Sequence, residues 1–523
     1  MKPIFALLCL SSLAQAELRL PAIIGDNMVL QQQQTNPLWG WDKPGSTVTV
    51  SFGSQSKSGV CDEKGRWSVK LDPVAANATP AAISIKGTTE RVLQNVLVGE
   101  VWLCSGQSNM GFTVGRCYDG DLEIAAANLP MIRLISVPQV GTQELQDDFK
   151  GQWEPCSPAN VGEFTAVGYF FGKVLHKALG VPVGLIDNAW GGSACEAWVH
   201  RPVLEKDPRF KSIIEQWKQT EATFTDETFA KQKQQHADKL KVWAEKRREA
   251  IKAKQPFDAP APRAPQNPLT GQHRPGNLFA GCLHPLIGYG IKGAIWYQGE
   301  SNSARAAEYR DLFPLMISHW REVWKQGDFP FYWVQLADYK AELPEAGDSQ
   351  WAELREAQTL TMKAIPNGGQ AVITDLGEGK DIHPRNKQDV AERLVRWALA
   401  RDYGKKIPYR SAELKGATFN GGKAQVTLDT FGAPLFTFDV ADVKGFALCG
   451  EDKVWHWAEG KITGQNTLEV SSAKVKQPTA VRYAWADNPI CNLYTFNGNL
   501  PVTPFRSDNF PLITATPPAP AKP

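Results

Sequence analysis

Val98-Gly99-Glu100-Val101-Trp102-Leu103-Cys104-Ser105-Gly106-Gln107-Ser108-Asn109-Met110 is the stretch on which the reading of this chain turns. The run from Val96 to Cys104 is short and, apart from Gly99-Glu100, apolar at successive positions. Such a run suits a strand covered on both faces, as in a parallel sheet. Ligand chemistry in those sheets gathers beyond the carboxyl ends of the strands. Gly106 permits a sharp turn there, which predicts that Ser108 stands near the start of a following helix, where free N–H groups can hold a developing oxyanion. A serine in that place is also an ordinary helix cap. The α/β-hydrolase pattern Gly-x-Ser-x-Gly is not met, because Met110 occupies the second glycine position.

Outward from this stretch, the chain from about Val96 to Asp402 alternates apolar strands with helical periods, the signature of an α/β layer. Ala166 to Leu179 is apolar at helical spacing and ends at a capping Gly180. Val183 to Ala189 then reads as a strand that feeds Trp190-Gly191-Gly192-Ser193. Ala294-Ile295-Trp296-Tyr297 is a further apolar strand, delivering Gln298-Gly299-Glu300-Ser301-Asn302 at its end. The glycines of Gly288-Tyr289-Gly290-Ile291-Lys292-Gly293 fit a dinucleotide pattern on paper, but they precede a strand instead of following one. Val203 to about Gln255 is charged and helix-forming, and Pro256 to Gln272 is proline-rich, so 203–272 reads as an insertion projecting from the sheet.

Short alternating runs before and after this layer predict β-rich units at 17–95 and 406–512, flanking a central domain at 96–405, with a disordered tail at 513–523. The N-terminal unit reads as sandwich-like, with strands at Thr47–Phe52, Arg66–Leu71 and Ala82–Lys86. Met1-Lys2, the apolar Ile4 to Leu10 and the closing Ala14-Gln15-Ala16 have the form of a secretory signal, 1–16, which predicts a secreted or periplasmic protein beginning at Glu17. No later stretch reaches the roughly 18 apolar residues needed to span a bilayer. Beyond Cys9 eight cysteines remain, an even number that permits disulfides in an exported chain without fixing a pairing. A net charge of +2 argues against a nucleic-acid binder and against an electrostatic membrane anchor. Neither His-Glu-x-x-His nor clustered Cys/His ligands appear, so no metal or other cofactor is expected. The 18 tryptophans allow stacking on sugar rings, although most tryptophan in a folded chain is simply packed.

A serine hydroxyl needs a base to take its proton and a third group to orient that base. Of eight histidines, His176, His236, His273 and His319 sit in helical, charged or proline-rich segments, and His200, His284 and His456 lack a nearby acid in an obvious turn. His383 differs, because Asp375-Leu376-Gly377-Glu378-Gly379-Lys380-Asp381-Ile382-His383-Pro384-Arg385-Asn386 follows the apolar run Ala371-Val372-Ile373 and puts Asp381 two positions away. A turn satisfied by Asp381 and closed by Pro384 accounts for the same residues without chemistry.

Four blocks occur in one order: Gly106-Gln107-Ser108-Asn109-Met110, Gly191-Gly192, Trp296 to Asn302, and Asp381 to Lys387. In that order they resemble sialate O-acetylesterases, the carbohydrate-acetylesterase variant of SGNH (GDSL-like) hydrolases. The resemblance implies an SGNH-like parallel sheet flanked by helices, with Ser108 as nucleophile, His383 as general base then acid, and Asp381 as orienter. It implies an oxyanion hole from the Ser108 and Gly192 N–H groups and the Gln298 side-chain amide, where the wider family has asparagine. Asp375, Glu378 and Glu300 are the other acids that can orient the ring, since the Asp-to-His spacing is one residue shorter than the common one. Arg385, with Glu300, is a candidate contact for the substrate, Arg385 as a fork for a sugar carboxylate. The expected reaction is removal of acetyl from an O-acetylated sugar or glycan. Alternatives are an acetylxylan esterase and a carbohydrate-binding surface protein without esterase activity. Oligomeric state is not legible in the sequence.

Overall fold

A computed structural model describes residues 17–515; the signal-like segment 1–16 and residues 516–523 lie outside the described residues. The architecture is organised by the 17-residue strand Glu90–Gly106, which belongs to two layers at once. Its first half pairs antiparallel with Asn77–Lys86, and Leu97 to Gly99 pair in parallel with Val29–Gln31. Its second half pairs in parallel with Val183–Ala189 on one side and Gly293–Tyr297 on the other. Across the central sheet the order is Gly368–Ala371, Phe331–Val334, Gly293–Tyr297, Glu90–Gly106, Val183–Ala189, Leu129–Ser136 and Glu154–Cys156. Only the last pairing is antiparallel.

The expected division at 95/96 therefore falls inside a continuous strand, and no linker separates the N-terminal unit from the central layer. A run of apolar residues continues unchanged while its hydrogen-bonding partners are exchanged, so periodicity alone does not mark the hand-over. The interruption Gly99-Glu100 does mark it. A Cβ on Gly99 would lie 2.0 Å from the Pro182 carbonyl oxygen. The buried Glu100 carboxylate accepts from Gln31 Nε2 at 3.0 Å, Gln32 Nε2 at 2.5 Å and the Tyr403 hydroxyl at 2.8 Å.

Alternation along this strand divides the core. Trp102 and Cys104 pack with the helices Ala166–Leu179 and Lys387–Arg401, while Val101 and Leu103 pack with Ala306–Trp324 and Gln350–Ala364. Both faces are covered, as a parallel sheet requires, and each large apolar side chain buried there contributes about 1.5–3 kcal/mol. Helix Ala166–Leu179 ends at Gly180 in the left-handed region, with φ of 69°.

The insertion forms the helices Arg201–Lys206, Lys211–Thr223 and Asp226–Lys252, the last with no buried residue, followed by 255–267 without regular structure. The C-terminal unit is a seven-stranded antiparallel sheet with a smaller three-stranded sheet beside it. It is fastened to the central layer by the buried Arg355, whose guanidinium donates to the Ala486 carbonyl at 2.6 Å and the Asp487 carbonyl at 3.0 Å. The ordered chain also runs past the expected tail boundary at 513. The Ile513 and Thr514 N–H groups donate to the buried Glu353 carboxylate at 2.8 and 3.1 Å, so a side chain far away in sequence holds the segment. All eight cysteines among the described residues are free, so the disulfides that an even count permits are not formed.

Candidate active site

Gly106 pairs with Ala189 on one neighbouring strand and with Tyr297 on the other, so three adjacent strands end on one row. Their following loops, 107–111, 190–195 and 298–302, consequently leave the sheet together. A Cβ on Gly106 would stand 2.3 Å from the Tyr297 carbonyl oxygen, and its φ of 139° suits glycine. The chain then makes one turn, closed by the Gly111 N–H on the Gln107 carbonyl at 3.0 Å, and continues as the short 3-10 segment Val114–Arg116. Ser108 is thus on an isolated turn and not at the start of a helix, which removes the expected contribution of a helix N-terminus. Its own N–H, and that of Gly192, make no hydrogen bond within the described residues.

The loop after Gly368–Ala371 carries His383 back over this turn, and its Nε2 lies 2.8 Å from the Ser108 hydroxyl. On the other side of the ring, Nδ1 is 3.3 Å from Asp381 Oδ1, which also accepts the His383 N–H at 2.9 Å. The three other acids considered for that role are engaged elsewhere. Asp375 is gripped by both nitrogens of the Arg393 fork at 2.6 and 2.7 Å, Glu378 accepts from Arg385 Nε at 3.2 Å, and Glu300 accepts from Asn109 Nδ2 at 2.6 Å. Burial holds the imidazole below its ordinary pKa; Asp381 pulls it upward, while Lys387 and Arg116 push it down. His383 is therefore a free base at neutral pH, as proton abstraction requires.

Gln298 departs from its expected place. The side chain is wholly buried, and its Nε2 donates to the Ser193 carbonyl at 3.0 Å and to Asn302 Oδ1 at 2.7 Å. Asn302 Oδ1 also accepts the Cys195 N–H at 2.9 Å, which fixes it as the oxygen and Gln298 Nε2 as the donor. Both amide hydrogens are thus used, and neither is offered to an oxyanion. Ser301 Oγ donates to the Gly192 carbonyl at 2.9 Å. The Gln298, Ser301 and Asn302 side chains all bind the backbone of 192–195, and so fix the turn that carries the Gly192 N–H.

A family model described as "carbohydrate esterase, sialic acid-specific acetylesterase" matches residues 98–253 and 283–391, segments that contain Ser108, Gly192, Gln298 and His383. The chain belongs to this family. A sialate O-acetylesterase from Mus musculus is 29% identical, with 93% of this chain and 94% of that protein aligned. One from Homo sapiens is 28% identical, covering 93% and 92%. The crystal structure of a carbohydrate acetylesterase from Xanthomonas citri is 35% identical and covers 94% of this chain and all of that one, with a TM-score of 0.78.

Two residues of this esterase were not singled out from sequence. Asn109 Nδ2 donates to the Ile382 carbonyl at 3.0 Å and its Oδ1 accepts from Lys387 Nζ at 2.6 Å, so it ties the serine turn to the histidine loop. Lys387 is fully buried at the first turn of its helix, between the rings of Phe112 and Tyr297. Burial brings Lys387 down to about 7, against the upward pull of Glu300. The signal that could have found it is a lysine at a helix start, where the macrodipole disfavours a cation. Glu300, raised by burial, faces this ammonium beneath the site and not the open rim. Arg385 is exposed beside the site, but its guanidinium lies over Tyr118 and bonds Glu378.

Proposed function

We propose that this esterase removes O-acetyl groups from sialic acids or related sugars by an acyl-enzyme route built on an SGNH-like layer. His383 Nε2 takes the Ser108 proton as Oγ attacks the acetyl carbonyl. The oxyanion meets the Ser108 and Gly192 N–H groups, each such donor being worth about 10²–10³ in rate. The imidazolium, steadied by Asp381, gives its proton to the departing sugar oxygen. Water, deprotonated by His383, then splits the acetyl-serine, releasing acetate and restoring the Ser108 hydroxyl. The observation that carries this reading is the 2.8 Å contact between Ser108 Oγ and His383 Nε2, made by residues 275 positions apart.

The reading includes export, on the strength of the signal-like residues 1–16, with Glu17 as the first residue of the secreted form. The test is acetate release from O-acetylated sialic acid, from acetylated xylan and from a chromogenic acetyl ester. Turnover of the sialic acid that is lost in Ser108→Ala supports the proposal. Turnover of xylan alone reassigns the substrate, and sugar binding without any turnover overturns the enzymatic reading.

A further inference from the structure

We propose that Arg116 anchors a carboxylate on the sugar whose ester is cleaved at Ser108. This rests on the acetylesterase reading above and adds to it the group that selects an acidic sugar.

Three cations stand around the Ser108–His383 pair, and two of them are engaged. Lys387 is buried on Asn109, and Arg385 bonds the Glu378 carboxylate. Arg116 is exposed, with neither a carboxylate within ion-pair distance nor a side-chain hydrogen bond among the described residues. Its guanidinium carbon lies 4.5 Å from the centroid of Phe112. That ring is buried and is stacked on His383 at 6.3 Å, with 23° between the planes. Arg116 is thus one aromatic ring away from the base that serves Ser108.

The position is built, because the Val114 N–H is held by the Phe164 carbonyl at 3.0 Å and the Arg116 N–H by the Thr113 carbonyl at 3.1 Å. A guanidinium resting on an aromatic face keeps its edge N–H groups free, and that planar fork matches a carboxylate. Its charge reaches the site, being one of those that lower the His383 pKa. A sialic acid carries its carboxylate and its acetylatable arm on the two carbons that flank the ring oxygen, so one sugar offers both a group for the Arg116 fork and an ester for Ser108. A neutral pentose backbone offers nothing for this guanidinium.

The test compares O-acetylated sialic acid with its carboxyl methyl ester and with 4-nitrophenyl acetate, for the full-length protein and for Arg116→Gln and Arg116→Lys. Rates are taken on the pH plateau, so that a shifted His383 titration does not enter. The expected result is a fall in kcat/KM for Arg116→Gln on the free acid that exceeds its fall on the methyl ester by about tenfold or more, carried mainly by KM. Arg116→Lys recovers part of it, and rising salt erodes the preference of the unmodified protein for the acid. Equal losses on acid and methyl ester, or no loss on either, overturn the assignment. Cleavage of 4-nitrophenyl acetate without cleavage of the sialic acid leaves the esterase chemistry standing and removes Arg116 as a selector. Absence of all three activities defeats the acetylesterase reading itself.

Discussion

Two loops leave the same row of the sheet and treat their polar groups in opposite ways. In residues 298–302 every side-chain amide and hydroxyl that faces the Gly192 turn is used: Gln298 on Ser193 and Asn302, Ser301 on Gly192, and Asn302 on Glu196 at 2.9 Å. In residues 107–111 and the facing His383 loop, the Ser108 hydroxyl meets only the imidazole, and the Ser108 N–H has no internal partner. A saturated buried network fixes geometry, whereas bond-making needs donors and acceptors whose capacity is still unspent. The sequence presents both loops as polar blocks after an apolar strand, and the difference between them is one of occupancy.

The largest effect expected from breaking the open side is that of Ser108→Ala. Ester hydrolysis should fall by about 10⁴–10⁶, while unfolding free energy moves by less than about 0.5 kcal/mol. Acetate release and a denaturant melt measure the two together, and residual activity within tenfold of normal would deny the serine its role. Breaking the saturated side should cost both quantities. Gln298→Ala strands the Ser193 carbonyl and the Tyr309 hydroxyl and leaves Asn302 Oδ1 with the Cys195 N–H alone, lowering stability by about 2–3 kcal/mol and kcat by about 10²-fold through a displaced Gly192. A loss of kcat with an unchanged melt would instead make Gln298 a direct oxyanion donor.

Asp381→Asn is expected to cost about 10–100-fold in kcat/KM, less than a buried orienter would, because Asp381 is 59% exposed and water can replace it. In the proposed mechanism activity requires neutral His383, so with its pKa held down by burial the acid limb of kcat/KM is expected below the ordinary imidazole value near 6.5. Lys387→Met removes a charge that lowers this pKa, and the limb should move to higher pH by up to about one unit, read from a pH–rate profile. A limb that stays in place would mean that the ammonium does not act on the imidazole. The smallest effect belongs to the insertion helix, which buries nothing. Val242→Ala there should change stability by less than about 0.5 kcal/mol in the same melt.

Much of the site could be read locally. Ser108, Gly192 and His383 each follow an apolar run, and such a run delivers what comes next to the edge of a sheet. Helix Ala166–Leu179 and strand Val183–Ala189 lie where periodicity and the Gly180 cap put them. Spacing also drew attention to Asp381, although the distance to Nδ1 was needed to separate it from Asp375, Glu378 and Glu300. Periodicity puts a boundary inside the continuous strand Glu90–Gly106, and the oxyanion role that the family resemblance implies for Gln298 meets a side chain whose amide hydrogens are both spent on Ser193 and Asn302. Periodicity and resemblance alike pass over Asn109, Lys387 and Arg116.

The sequence by itself determined which side chains are offered at the strand ends, because that depends on period, turn residues and caps within a few positions. Tertiary structure alone decided which of them remain free to react. A hydrogen bond or an ion pair is filled by partners a hundred or more residues away, as Ser193 and Gln298 or Lys387 and Asn109 fill one another, and local spacing carries no record of them.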